Sequence, residues 1–143
     1  MLKIEIARGK HGRIILMDSI TKLVDEDKDA IVVSASHGGA SSGEFALQIP
    51  LAAVFFNDAG VGKDRAGIAA LDMLERRAIP AGAVAHTDAR IGDARDMWDN
   101  GIISHANNAA LKAGWRPGLK LQQALTNSIA TGIPLVPRDD NRQ

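Results

Sequence analysis

The chain has no cysteine and no tyrosine, and aromatic residues make up only 3% of its 143 positions. Without thiols there is no disulfide framework, no thiolate metal site and no cysteine nucleophile, which agrees with a reducing compartment. So few aromatic rings leave no stacking platform for bases. An excess of one charge is also missing. With 17 basic and 17 acidic side chains, a formal net charge of zero and no dense Lys/Arg block, neither nucleic acid nor an acidic lipid surface is expected as a partner. No apolar stretch approaches the roughly 20 residues that span a bilayer. The opening, MLKIEIARGKHGRIILMDS, lacks the layout of a secretory signal. A cytoplasmic chain with no membrane partner is therefore expected.

What is present is a globular composition, 45% apolar and 24% charged, enough for a core without staples. The expected organisation is one domain over residues 1–137 and a mobile tail over 138–143. KIEIAR (3–8) and RIILM (13–17) read as two strands joined by the turn residues Gly9 to Gly12, an N-terminal β-hairpin. ITKLVDEDKDA has helical spacing at Ile20, Leu23 and Val24. AIVVSAS, LAAVFFND and AGAVAHT are near-continuous apolar runs, as in strands buried on both faces. Between the last two, KDRAGIAALDMLERRAIP puts Ile68, Leu71, Leu74 and Ala78 on one helical face. SGEFALQI, ISHANNAALKAG and LKLQQALTNSIATG are further helix candidates, and the residues around Asp93 and Trp98 read as a polar loop.

Strands alternating with helices predict an α/β fold: a short, open, mainly parallel sheet with flanking helices, Rossmann-like or flavodoxin-like, preceded by the hairpin. Ligands of such sheets sit outside the carboxyl ends of the strands. Three glycine-containing loops fall there, residues 36–43, 57–64 and 86–93.

In the first loop, Ser34 to Gly38 has the small-x-Ser-x-Gly form of a nucleophile elbow, with Ser36 at the strand end. Gly39 to Gly43 matches G-x-S-x-G literally but lies out of register. A plain turn or a helix cap from Ser41 or Ser42 needs the same residue types. Gly38, Gly39, Ser41 and Ser42 also suit a backbone cradle for phosphate or carboxylate. A positive φ or a close ligand approach is expected at Gly38 or Gly39.

The second loop, NDAGVGKDRAG, fails as a phosphate loop because Asn57 and Asp64 stand where glycine and Ser/Thr are needed. It fails as a dinucleotide fingerprint because Arg65 replaces the third glycine. No cofactor is expected. Asn57 and Asp58 end the strand, and Lys63 near a helix start points into water or meets an anion.

The third loop crowds His86, Asp88, Arg90 and Asp93. His37, Asp58 and His86, each at a strand end, suit either general acid–base chemistry or a two-His-one-carboxylate metal site. Close H-x-H or H-x-x-x-H spacing is missing, so no required metal is expected. His105 reads as structural or interfacial. Met97 and Trp98, set among charges, would cover a ligand, meet a second subunit of a homo-oligomer, or fold onto the chain's own core.

The expected function is a small-molecule hydrolase or lyase acting on a polar or anionic substrate. Gly38 and Gly39 would stabilise developing negative charge, and His37 or His86 would move a proton. Asp58 or Asp88 would orient the imidazole, and Lys63 or Arg90 would hold a substrate carboxylate. Asn57, Ser41, Ser42 and Asp93 line the site, with Ser36 as conditional nucleophile. The alternative is a ligand-binding or regulatory module without chemistry, or a subunit of a larger enzyme.

Overall fold

Lys3–Gly9 (β1) and Gly12–Met17 (β2) form the expected hairpin in the computed structural model, which describes residues 1–133. The expected tail at 138–143 lies outside the described residues. Four further strands follow: Ile31–His37 (β3), Ala53–Asn57 (β4), Ala81–Val84 (β5) and Ile103–Ala106 (β6). They join one sheet in the order β1-β2-β3-β4-β5-β6. β2 to β5 are mutually parallel, and β1 and β6 are antiparallel to their neighbours. The sheet is therefore mixed. Its strand order runs without the reversal that defines a doubly wound sheet, so what stands is the broader class, an α/β sheet flanked by helices.

The apolar runs are continuous because both faces are covered. Side chains alternate across a strand, so Ile14, Val33 and Phe55 enter one core while Ile15, Val32 and Phe56 enter the other. Helices Ala40–Ala46 (α1) and Ala69–Glu75 (α2) cover the second. Ala94–Asn100 (α3), Asn108–Lys112 (α4) and Leu121–Thr131 (α5) cover the first, where Trp115 meets Phe55 edge-on with ring centroids 5.6 Å apart. No helix among the described residues is long and apolar enough to cross a membrane.

Four local expectations are corrected. Residues 20–27 form two single-turn 3-10 segments rather than a helix. Residues 63–68 are 3-10, with Asp64 and Arg65 in left-handed conformations, so only Ile68, Leu71 and Leu74 keep the expected buried face, and Ala78 is exposed. ISHA is strand β6, not the start of a helix. The segment around Trp98 is helix α3: Met97 and Trp98 are buried in its own core, which removes the reason for expecting a lid or subunit contact there.

Two polar side chains tie the layers together. Asp18 accepts the Leu2 N–H at 2.7 Å and the Ala94 N–H at 2.9 Å, joining β1 to the start of α3. Asn107 uses its whole carboxamide. It accepts from Ala81 and Ala110 N–H and donates to the Leu71 and Ile79 carbonyls.

Candidate functional site

β3, β4 and β5 run parallel and finish at one edge, which carries His37, then Asn57 with Asp58, then the segment after Val84. Asp58 is where side chains converge. It is 4% exposed, and donors surround it. Oδ1 accepts the N–H groups of Gly60 at 2.8 Å and His86 at 3.0 Å, and Oδ2 accepts the Ser104 hydroxyl at 2.8 Å. The His86 imidazole brings Nδ1 to 3.3 Å from Oδ1, and His105 brings Nδ1 to 3.8 Å from Oδ2.

Burial pushes the Asp58 carboxyl up, but the bonds from Gly60, Ser104 and His86, with the charge of His105, outweigh it and hold the pKa below its ordinary 3.8. A carboxyl depressed in the folded state contributes its full stability above the unfolded pKa and loses it as pH falls through the folded one. Urea unfolding is expected to show stability declining below about pH 4, less steeply in Asp58→Asn. A residual slope will remain, because the Arg90 N–H holds Asp96 low and the Arg8 guanidinium holds Glu5 low.

The histidines differ in the nitrogen they leave open. A carboxylate beside Nδ1 draws the His86 proton to that atom, so Nε2 keeps a lone pair on a ring that is 53% exposed. His37 is the reverse. Its Nδ1 accepts the Gly39 N–H at 3.2 Å, so the neutral ring carries its proton on Nε2, which donates rather than accepts. No carboxylate lies within ion-pair distance of His37 among the described residues.

The first loop is engaged with the protein itself. Ser36 Oγ accepts the Ile20 N–H at 3.0 Å and has no imidazole in hydrogen-bond reach among the described residues. Gly38 N–H donates to the Asn57 carbonyl at 3.0 Å and Gly39 N–H to His37, so neither amide is left to cradle an anion. The positive φ expected at these glycines is also absent. Crowding requires Gly38 instead, since a Cβ there would lie 2.8 Å from the Gly67 carbonyl oxygen, whereas one on Gly39 would meet the movable His37 ring at 2.8 Å. Neither Ser41 nor Ser42 caps α1, whose N-cap is Gly39.

Left-handed backbone occurs in the second loop, at Ala59, Gly60, Val61, Gly62, Asp64 and Arg65. Each non-glycine there costs about 1–2 kcal/mol, and Val61 is β-branched. The surroundings hold the loop: Asn57 Oδ1 accepts Ala59 N–H at 2.8 Å, and the Asp58 and Val61 carbonyls accept from Val61 and Gly67 at 2.6 Å each. The result places the Gly60 N–H on Asp58 and leaves only 3.4 Å between a Cβ at Gly60 and the His86 ring.

The remaining expected residues separate by role. Asn57 is fully buried, and its Nδ2 donates to the Ala89 carbonyl at 2.9 Å, so it anchors loops instead of touching a ligand. Lys63 is exposed and forms no ion pair among the described residues. Arg90 reaches Asp93 at 3.5 Å and Asp96 at 3.8 Å, while Asp93 caps α3. Asp88 is half-buried, and its side chain has no hydrogen-bond partner among the described residues, which leaves Asp58 as the carboxylate that meets imidazole.

The edge thus holds two places. A cleft of about 280 Å³ is lined by Ile20, Ser36, His37, Ser42, Phe45 and Ile91, and neither Asp58 nor His86 borders it. The segment 85–93 links the two, carrying His86 at one and Ile91 at the other, and is fixed by Asn57 to Ala89 and by Gly92 N–H to the Ala35 carbonyl. A larger cavity of about 460 Å³ beside Trp98, Gly101 and Lys120 has no imidazole in its walls. No group of three or more His, Asp or Glu side chains among the described residues is disposed to hold a metal ion. Both Asp58 oxygens already accept hydrogen bonds.

No known family, curated protein or solved structure matches the chain. Its site is legible only through its own chemistry. Reading ISHANN as helical gives Ser104 no role and His105 only a structural or interfacial one, whereas both lie on strand β6. Asn107 was the available signal, since an N-cap residue there starts the helix after, not before, the histidine.

Proposed function

We propose that this chain is a cytoplasmic small-molecule enzyme of the hydrolase or lyase class, working by proton transfer at His86 with Asp58 as its orienting carboxylate. The observation that supports this is the Asp58–His86 pair: a buried carboxylate, held ionised by four neighbours, against an imidazole that is half open to solvent. A carboxylate behind Nδ1 fixes the ring and stabilises the imidazolium that forms when Nε2 takes a proton. The left-handed loop beside His86 strengthens the reading, because costly backbone persists where the surroundings set a functional group. Lys63, carried on that loop, is the residue for an anionic substrate group. Ser36 ranks below His86 as a catalytic residue, since it lacks a base.

The separate cleft at Ser36 and Phe45 favours a second reading, a ligand-binding module without chemistry. A thermal-shift screen of small carboxylates and phosphates distinguishes them. A ligand of the proposed site is expected to bind about tenfold more weakly to Lys63→Ala, as a lost charge-assisted contact implies. Hits insensitive to Lys63 and His86 but lost on Ser42→Leu would favour the second reading.

A further inference from the structure

Consecutive strand residues point to opposite faces, yet Ser104 and His105 both reach Asp58. The pairing of β5 with β6 explains this. His105 pairs with Ala83 and Ile103 with Val84, so two steps on β6 oppose one on β5, and Ser104 is the extra residue of a β-bulge. Bulges re-aim side chains and recur beside active sites. Here the bulge sets Ser104 Oγ at 2.8 Å from Asp58 Oδ2, 3.0 Å from His105 Nδ1 and 3.3 Å from the Ala83 carbonyl.

We infer that His105 is a second proton-transfer residue of the same site, joined to Asp58 through the Ser104 hydroxyl, which acts as a positioning residue. The inference rests on reading Asp58 and His86 as an acid–base pair. Ser104 has one proton, and the carboxylate at 2.8 Å is its strongest acceptor. The Ser104 oxygen is then left to accept from His105 Nδ1–H. His105 therefore carries its neutral proton on Nδ1 and keeps a lone pair on Nε2, the same polarity as His86 and the opposite of His37. Its side chain is 31% exposed, so the ring is open to a small molecule.

One buried negative charge thus faces two imidazoles from its two oxygens. In a reaction cycle His86 Nε2 takes a proton from the substrate as its ring becomes imidazolium. Protonated His105 gives a proton from Nε2 to the departing atom and becomes neutral. The charge of the Asp58 group is unchanged, and exchange with water resets both rings. A site with both partners suits removal of a proton and protonation of a leaving group in one substrate, the pattern of an elimination.

Nitrogen-15 NMR of the full chain with labelled histidine, at about pH 8.5 where imidazoles are ordinarily neutral, tests the relay without any substrate. His105 is expected as the Nδ1–H tautomer and His37 as Nε2–H. Ser104→Ala should weaken the Nδ1 preference of His105, Ser104→Thr should keep it, and an unchanged His37 signal reports that the fold is intact. An Nε2–H His105 in the wild type, or a tautomer indifferent to Ser104→Ala, would overturn the relay. On any substrate the wild type turns over, Ser104→Ala is expected to lower kcat about tenfold with little change in KM, and Ser104→Thr to restore it. Unaltered kcat would remove His105 from the chemistry. Loss of activity in His86→Ala decides the underlying reading separately, so the two can fail independently.

Discussion

Replacing Asp58 by Asn is expected to lower turnover by about 10²- to 10⁴-fold while the protein stays folded. The amide keeps the size of the carboxylate, and its oxygen still accepts the Gly60 and His86 N–H groups, as Oδ1 does in the wild type. What disappears is the negative charge 3.3 Å from His86 Nδ1, together with the oxygen that accepts the Ser104 hydroxyl. An imidazolium formed at His86 then has no counter-charge, and the neutral ring keeps only an uncharged amide oxygen beside Nδ1. Binding should suffer less than turnover, because Lys63 and the loop that carries it are unchanged. The measurement is kcat and KM for both proteins on one substrate, with circular dichroism to show matched folding. Equal losses in kcat for Asp58→Asn and for an exposed-residue control would point to a purely structural Asp58.

Asn107→Ala is expected to have the largest effect on stability, a loss of about 3–5 kcal/mol. The side chain is 8% exposed and satisfies four backbone groups: Ala81 N–H at 3.0 Å, Ala110 N–H at 2.9 Å, the Leu71 carbonyl at 3.2 Å and the Ile79 carbonyl at 3.0 Å. Truncation strands two donors and two acceptors where little water reaches them, and it also removes the cap of α4. Asn107→Asp should be nearly as damaging, because a carboxylate cannot donate to the two carbonyls. Against a typical total of about 5–15 kcal/mol, either change leaves a marginal fold. Urea midpoints measure it, and a loss under about 1 kcal/mol would mean that water takes over the four bonds. The Asn107 side chain shares no hydrogen bond with Asp58, Ser104 or a histidine among the described residues, so turnover per folded molecule should not change.

How far the sequence speaks depends on what each segment buries. β3, β4 and β5 were legible because both faces are covered, which makes IVV, AVFF and AGAV apolar without interruption. β6 was not, since four residues at a sheet edge, bulged and carrying Ser104 and His105, show no alternation. α3 was hidden by its aspartates, although Ala94, Met97 and Trp98 mark a buried helical face at the right spacing. At the site, Asp58 and His86 could be found just past strand ends. The closure of the Gly38 loop could not, because the atoms that crowd it belong to Gly67 and Phe56. Nor could the role of His37 be read, since it turns on which ring nitrogen the Gly39 amide occupies.

The most direct test compares kcat for wild type, His86→Ala, His37→Ala and Ser36→Ala on one substrate drawn from the carboxylate and phosphate screen. The expected result is a loss of at least about 100-fold for His86→Ala, with Ser36→Ala and His37→Ala each within a few-fold of wild type. Full activity in His86→Ala, with the loss falling on Ser36→Ala and a covalent adduct on that serine, would contradict the assignment of proton transfer to the Asp58–His86 pair.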